Sequence, residues 1–351
     1  MAVSEGTPVR RVETARIAMA IRERGVGEPV VFVHGNVSSG GVWDEQLAAL
    51  PDGLRGIAVD LRGYGETEQA PVDAARGLRD WSDDVRALVE ALNLGPAHLV
   101  AHSLGAGVAL QYACDFPREV RSLTLAAPMS PYGFGGTRDE HGTPCHEDYA
   151  GSGGGTVNPE LPRRIAAGDR TTDNPASPRN VIRSLFFPSP ETVRDEEAIL
   201  DAMLAAAVGE DNYPGDAAPS ANWPHTAPGR RGALNAFSPK YCDLSGFASS
   251  GCTAPVLWLR GALDAVIGDA SPLDFAVLGR LGVVPGWPGA EAYPPQPMVS
   301  QLRKVLETYA GAGGSYREDV WDGAGHFPFT QDPARFATVL GEHLRAAHGE
   351  R

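Results

Sequence analysis

Ser103 stands where an apolar run gives way to a helix-forming one, in the string Leu99-Val100-Ala101-His102-Ser103-Leu104-Gly105-Ala106-Gly107. Small residues lie two positions before it and two positions after it. A strand that turns directly into a helix has no space for a larger group at either flank, because that group would meet neighbouring backbone. The spacing therefore predicts a nucleophile elbow, with the Ser103 hydroxyl exposed at the C-terminal edge of a sheet. Ala101 occupies a position where glycine is commoner and keeps the same steric logic. The plainer reading makes Ser103 a helix N-cap and no more. As a nucleophile, Ser103 needs a neutral imidazole to take its proton and return it to the leaving group.

The chain has nine histidines, and most can be set aside. His141 and His146 fall in a glycine- and proline-rich middle segment, and His343 and His348 in the last helix and tail. His102 is aimed elsewhere by the turn at Ser103, and His34 ends an early strand. His326 lies in the loop Asp322-Gly323-Ala324-Gly325-His326-Phe327-Pro328, after the strand-like Tyr316 to Trp321. Its position makes it the expected base.

Short apolar runs bounded by turn residues surround these groups: 30–33, 56–59, 98–101, 123–126 and 256–259. Continuous rather than alternating runs suit strands covered on both faces of a parallel sheet. Helical patterns lie between them. Trp81, Val85, Leu88, Val89 and Leu92 recur at helix spacing before Leu94-Gly95-Pro96 ends the pattern. A second helix is expected from just after Ser103 to about Phe116, and a last one from the capping pair Asp332-Pro333. Strands alternating with such helices predict an α/β class, a doubly wound and mostly parallel sheet. Arg16 to Arg22 alternates and is expected to be an antiparallel edge strand.

Two stretches break the alternation. Residues 131–250 are expected to form a helical lid inserted after the sixth strand, between a core made of residues 1–130 and 251–351. The run Gly151-Ser152-Gly153-Gly154-Gly155 lacks the Gly-Lys-Ser/Thr ending of a phosphate loop and follows no clear strand, so it is read as a plain flexible loop. Residues from about 269 to 309 form a proline-rich excursion, expected to be extended and packed on the body.

Beyond the elbow, the chain carries Val33-His34-Gly35-Asn36, Asp60-Leu61-Arg62-Gly63-Tyr64-Gly65, Gly261-Ala262-Leu263-Asp264 and Gly325-His326. With these motifs it resembles the α/β-hydrolase fold family over almost its whole length. In that family the triad runs serine, acid, histidine along the chain, an order kept by Ser103, Asp264 and His326. The resemblance thus implies that Asp264, just past the strand 256–259, orients the imidazole; Asp269 and Asp322 are the competing carboxylates. It also implies an oxyanion hole made by the backbone N–H groups of Asn36 and Leu104. The Asp60–Gly65 loop reads as scaffold. Relatives that cleave haloalkanes or epoxides use aspartate at the elbow, so a serine there favours acyl transfer to water.

The net charge of −14 disfavours nucleic acid and anionic lipid as partners. Hydrophobic residues at 42% and charged residues at 21% fit a globular chain rather than a disordered one. No run reaches the roughly 20 apolar residues of a membrane span, and Met1 to Gly25 shows no export signal, so a cytoplasmic location is expected. The four cysteines show no metal-ligand spacing and are expected to be free thiols, although Cys242 and Cys252 lie close enough in sequence to bridge. No cofactor and no metal are expected, and the chain is expected to be a monomer or homodimer. Phe186, Phe187, Tyr213, Trp223, Phe237 and Trp287 suggest an apolar pocket for a medium-sized organic small-molecule substrate. The reading is therefore hydrolysis of a carboxylic ester or lactone through an acyl-enzyme. The alternatives are a ligand-binding protein with little turnover, or a cofactor-free C–C hydrolase, lyase or perhydrolase using the same site.

Overall fold

The computed structural model describes residues 6–349, so the first five residues of the segment read for an export signal lie outside it. One eight-stranded sheet forms the centre: β1 Val9–Glu13, β2 Ala18–Gly25, β3 Glu28–Val33, β4 Leu54–Val59, β5 Ala97–His102, β6 Val120–Ala126, β7 Val256–Gly261 and β8 Tyr316–Trp321. Their order is β1-β2-β4-β3-β5-β6-β7-β8. β2 runs antiparallel to both β1 and β4, and the remaining pairs are parallel. The continuous apolar runs behave as expected: every residue of β5 is buried, as are Pro29 to Val33 of β3.

Helices α1 Arg79–Ala91, α2 Leu104–Asp115, α3 Met298–Gly311 and α4 Pro333–Gly349 pack around this sheet. α1 buries Trp81, Val85, Leu88 and Val89, the stripe read from the sequence. α2 crosses from β5 to β6 almost wholly buried. At the start of α4 the Asp332 carboxylate accepts the Arg335 amide at 3.0 Å, as its capping position predicted.

Three expectations need correction. The strand at Arg16 to Arg22 is β2, and it is not the edge. The edge is β1, whose Arg10, Arg11 and Glu13 face solvent while Val12 alone is buried, which leaves no apolar pattern to read. The glycine run at 151–155 is a packed turn, not a flexible loop. A Cβ on Gly151 would overlap the Tyr293 hydroxyl, and the Gly154 amide donates to Asn235 Oδ1 at 2.9 Å. The excursion is also shorter than 269–309, because Met298–Gly311 is the crossover helix between β7 and β8. Met298, Leu302, Val305, Leu306 and Tyr309 give α3 its buried face, but the prolines just before it obscure that spacing.

Residues 127–255, between β6 and β7, hold the helices Glu160–Ala166, Pro178–Val181, Glu196–Leu204 and Ala233–Ala236, with a wide π turn at Ile182–Phe186. Main-chain bonds fasten this segment to the loop after β4: Ala207 N–H to Gly63 O at 2.9 Å and Val72 N–H to Asp211 O at 2.8 Å. That loop is itself held from below. The fully buried Asp84 carboxylate accepts Arg62 Nε at 2.8 Å, Arg62 Nη2 at 3.0 Å and Arg16 Nε at 2.6 Å, and Trp81 Nε1 donates to the Arg62 carbonyl. Removing one partner of a buried ion pair strands the other. Asp84→Ala is therefore expected to cost about 3–5 kcal/mol in a urea unfolding titration. A loss under about 1 kcal/mol would show that Arg62 reaches solvent when released.

Candidate active site

Ser103 is the last link between β5 and α2, at φ +53° and ψ −118°, a conformation that a non-glycine residue holds only when its surroundings enforce it. The enforcement comes from β3. A Cβ on Gly105, in the first turn of α2, would meet the His34 carbonyl oxygen and lie 2.6 Å from that of Val33. Glycine at 105 is thus required by the approach of the helix to the neighbouring strand end. Ala101 is buried without conflict, so the flank before the serine tolerates one methyl.

Three strand ends then converge. His326, in the loop after β8, has Nε2 3.0 Å from Ser103 Oγ and Nδ1 2.9 Å from Asp264 Oδ2. Asp264 follows β7, and its Oδ1 accepts the amides of Val266 at 2.8 Å and Ile267 at 3.0 Å, which fixes the carboxylate plane. The competitors have other partners. Asp269 accepts the Val299 and Ser300 amides and the Ser300 hydroxyl at the start of α3, and Asp322 is exposed. The carboxylate-to-imidazole-to-hydroxyl series can pass the serine proton to nitrogen while the carboxylate holds the tautomer.

The histidine loop is pinned from two sides that the sequence does not reveal. The His326 amide donates to the Phe186 carbonyl at 2.9 Å, and the His326 carbonyl accepts His102 Nε2–H at 2.8 Å. His102 bonds to the loop after β8 instead of to Ser103, and the two imidazoles lie tilted with centroids 4.7 Å apart. Burial first, then the nearby His326, push the His102 pKa well below its usual value, so it is a neutral donor. His34 donates from Nδ1 to the Gly35 carbonyl and accepts the Leu61 amide at Nε2; burial brings it down to about 4, against the raising influence of Asp60.

Asn36 and Leu104 border the serine, and neither main-chain amide has a hydrogen-bond acceptor among the described residues. The Asn36 side chain is occupied: its Oδ1 accepts the Tyr64 hydroxyl at 2.6 Å. Ser103, 8% exposed, opens into a cavity of about 420 Å³. Met129, Leu161, Leu185, Phe186, Phe237 and Ile267 line it, and among the described residues no Lys, Arg, Asp or Glu does. Of the six aromatic residues expected around a pocket, Phe186, Tyr213 and Phe237 reach it. Phe187 instead stacks on Phe327, Trp223 packs on Tyr293, and the Trp287 indole donates to the Tyr293 carbonyl. Among the described residues no group of three His, Cys, Asp or Glu side chains could hold a metal, and all four cysteines are free.

Residues 28–143 match the family model for the α/β hydrolase fold. The chain has the α/β-hydrolase fold. The matched stretch contains the elbow and His34-Gly35-Asn36, while Asp264 and His326 lie beyond it. Over 123 residues the chain is 37% identical to 2-(acetamidomethylene)succinate hydrolase of Mesorhizobium japonicum, covering 35% of this chain and 43% of that protein. It is 35% identical over 125 residues to a non-heme chloroperoxidase of Kitasatospora aureofaciens, covering 35% and 45%. The chain thus spans less than half the length of these curated relatives. An esterase structure from a Rhodococcus species superposes with a TM-score of 0.59 at 19% identity, over 97% of this chain and 99% of that one. At that identity the likeness is one of fold.

Three histidines are held neutral by burial: His34 and His343, each lowered from 6.5 to about 4, and His102, lowered well below 6.5. Unfolded, each takes up a proton below its ordinary pKa; folded, it does not until much lower pH. The unfolded chain therefore binds more protons between about pH 6.5 and 4, and stability falls as pH falls through that window. The urea midpoint is expected to be lower at pH 5 than at pH 7. His343→Gln, on α4 where the imidazole bonds to the Leu123 carbonyl, should make that drop smaller.

Proposed function

We propose that this protein is a serine hydrolase that cleaves a neutral carboxylic ester or lactone through an acyl-enzyme. The observation that carries the reading is the unbroken series Asp264–His326–Ser103 at the floor of an uncharged cavity. Ser103 Oγ attacks the carbonyl carbon as His326 Nε2 takes its proton. The tetrahedral oxyanion is received by the Asn36 and Leu104 amides, the second at a helix N-terminus whose dipole favours negative charge. Collapse expels the alcohol with the proton returned by His326, and water repeats the sequence to free the acid and Ser103. A serine rather than an aspartate at the elbow supports acyl transfer.

The insertion at 131–250 is assigned as a lid, since Leu161, Leu185, Phe186 and Phe237 come from it and form much of the cavity wall. The name of the Mesorhizobium relative is that of an enzyme acting on a succinate, a dicarboxylate. The cavity here offers no cation to neutralise such a charge, so a neutral substrate is proposed.

Incubation with a fluorophosphonate probe and intact-mass measurement is expected to give one adduct, absent in Ser103→Ala and in heat-denatured protein. In a p-nitrophenyl ester series, Ser103→Ala should lose about 10⁴-fold or more in kcat. Asp264→Asn keeps the shape and removes the charge, and is expected to lower kcat by roughly 10³–10⁴-fold. Well-folded protein that takes no label would sink the proposal.

A further inference from the structure

Five tyrosines are almost completely enclosed, and a buried phenol normally finds a hydrogen-bond partner. Four of them do. Tyr64 donates to Asn36 Oδ1, Tyr112 to Glu119, Tyr293 to the Ala150 carbonyl and Tyr309 to the Ala254 carbonyl. Tyr213, 3% exposed, has no partner for its hydroxyl among the described residues. Its oxygen is also not among the sealed, unpartnered atoms of the interior, so it keeps accessible surface. Tyr213 is one of the residues lining the cavity into which Ser103 opens.

The main chain that carries the phenol is fastened on both sides. The Tyr213 amide donates to the Ala207 carbonyl at 3.0 Å, and the Ala207 amide donates to Gly63 in the loop after β4. Tyr213 also lies near enough to Tyr64 to oppose its ionisation, which puts it on the Asn36 side of the cavity. The other polar linings are committed or peripheral: Thr156 donates to the Gly153 carbonyl, and Asn158 is exposed at the rim. Burial holds the Tyr213 phenol protonated far above neutral pH, so it presents a donor to whatever fills the cavity.

We propose that Tyr213 is a specificity-determining residue that donates a hydrogen bond to a second oxygen of the substrate, apart from the scissile carbonyl. The substrate class is then a neutral ester or lactone bearing an additional keto, ether or hydroxyl oxygen, with the rest of its surface apolar. An apolar cavity with one such donor apart from the Asn36 and Leu104 amides discriminates strongly against an occupant that lacks the acceptor, because the buried hydroxyl is then left unpaired. This rests on the hydrolase reading for the chemistry of the site, but not for the hydrogen bond itself.

The test separates the two by measuring binding without turnover. Affinities of p-nitrophenyl 4-oxopentanoate and p-nitrophenyl pentanoate are measured by calorimetry on Ser103→Ala and on Ser103→Ala/Tyr213→Phe. The 4-oxo ester is expected to bind Ser103→Ala roughly 10-fold tighter, and the ratio to fall near one in the double variant. Equal affinities for Ser103→Ala, or a ratio that survives the loss of the hydroxyl, would overturn the assignment of Tyr213. Failure of the wild-type protein to hydrolyse either ester would count against the hydrolase reading alone. Phenylalanine retains the ring and its packing, and a circular-dichroism melt checks that both variants fold.

Discussion

At Gly105 the first turn of α2 touches the carbonyl oxygens of Val33 and His34, and no side chain fits between them. The contact holds the end of β5 in a turn that a serine does not adopt freely, at a local cost of about 1–3 kcal/mol. Sheet packing supplies that energy: β5 lies between β3 and β6, with all six of its residues buried. Once the turn is fixed, the Leu104 amide opens the helix beside the serine and the Asn36 amide arrives from the next strand. The same strand pair thus sets both the proposed nucleophile and its proposed anion site. β7 and β8 bring the carboxylate and the imidazole to the same edge because parallel strands end together.

The segment between β6 and β7 is part of this geometry. It reaches the body through main-chain bonds from Ala207 and Asp211 to the loop after β4, whose own position depends on the enclosed Arg62–Asp84 pair. From one such anchored stretch comes Tyr213, and from the π turn at 182–186 comes the carbonyl that holds His326. Charge pairs between Arg179, Arg183 and Glu196 tie that turn to the helix Glu196–Leu204. The cavity wall is thus fastened where it meets the histidine.

The elbow was legible because its demand is local: a tight strand-to-helix turn dictates small flanking residues whatever else the chain does. Asp264 and His326 were legible through their order along the chain and their places after strand-like runs. What escaped was whatever depends on main-chain atoms or on chain folding back from a distance. The Phe186 carbonyl carries no side-chain signature, and His102 meets His326 only because a loop 224 residues away lies over it. β1 went unread since one buried valine makes no pattern, and α3 since prolines precede its apolar stripe. Trp223 and Trp287 illustrate the converse: aromatic content marks buried surface without saying which surface.

The bond from the His326 amide to the Phe186 carbonyl joins two main-chain atoms, so neither depends on which side chain its residue bears. Side chains in the π turn can be exchanged for larger or smaller ones, reshaping the cavity wall, while the support of the imidazole loop persists. Insertion or deletion in that turn is another matter, since it would shift the carbonyl itself. The scaffold therefore separates two kinds of change: substitutions tune what the cavity admits, and length changes disturb the imidazole. Divergence toward new substrates has an open route through the first kind, and engineering of this wall has the same freedom.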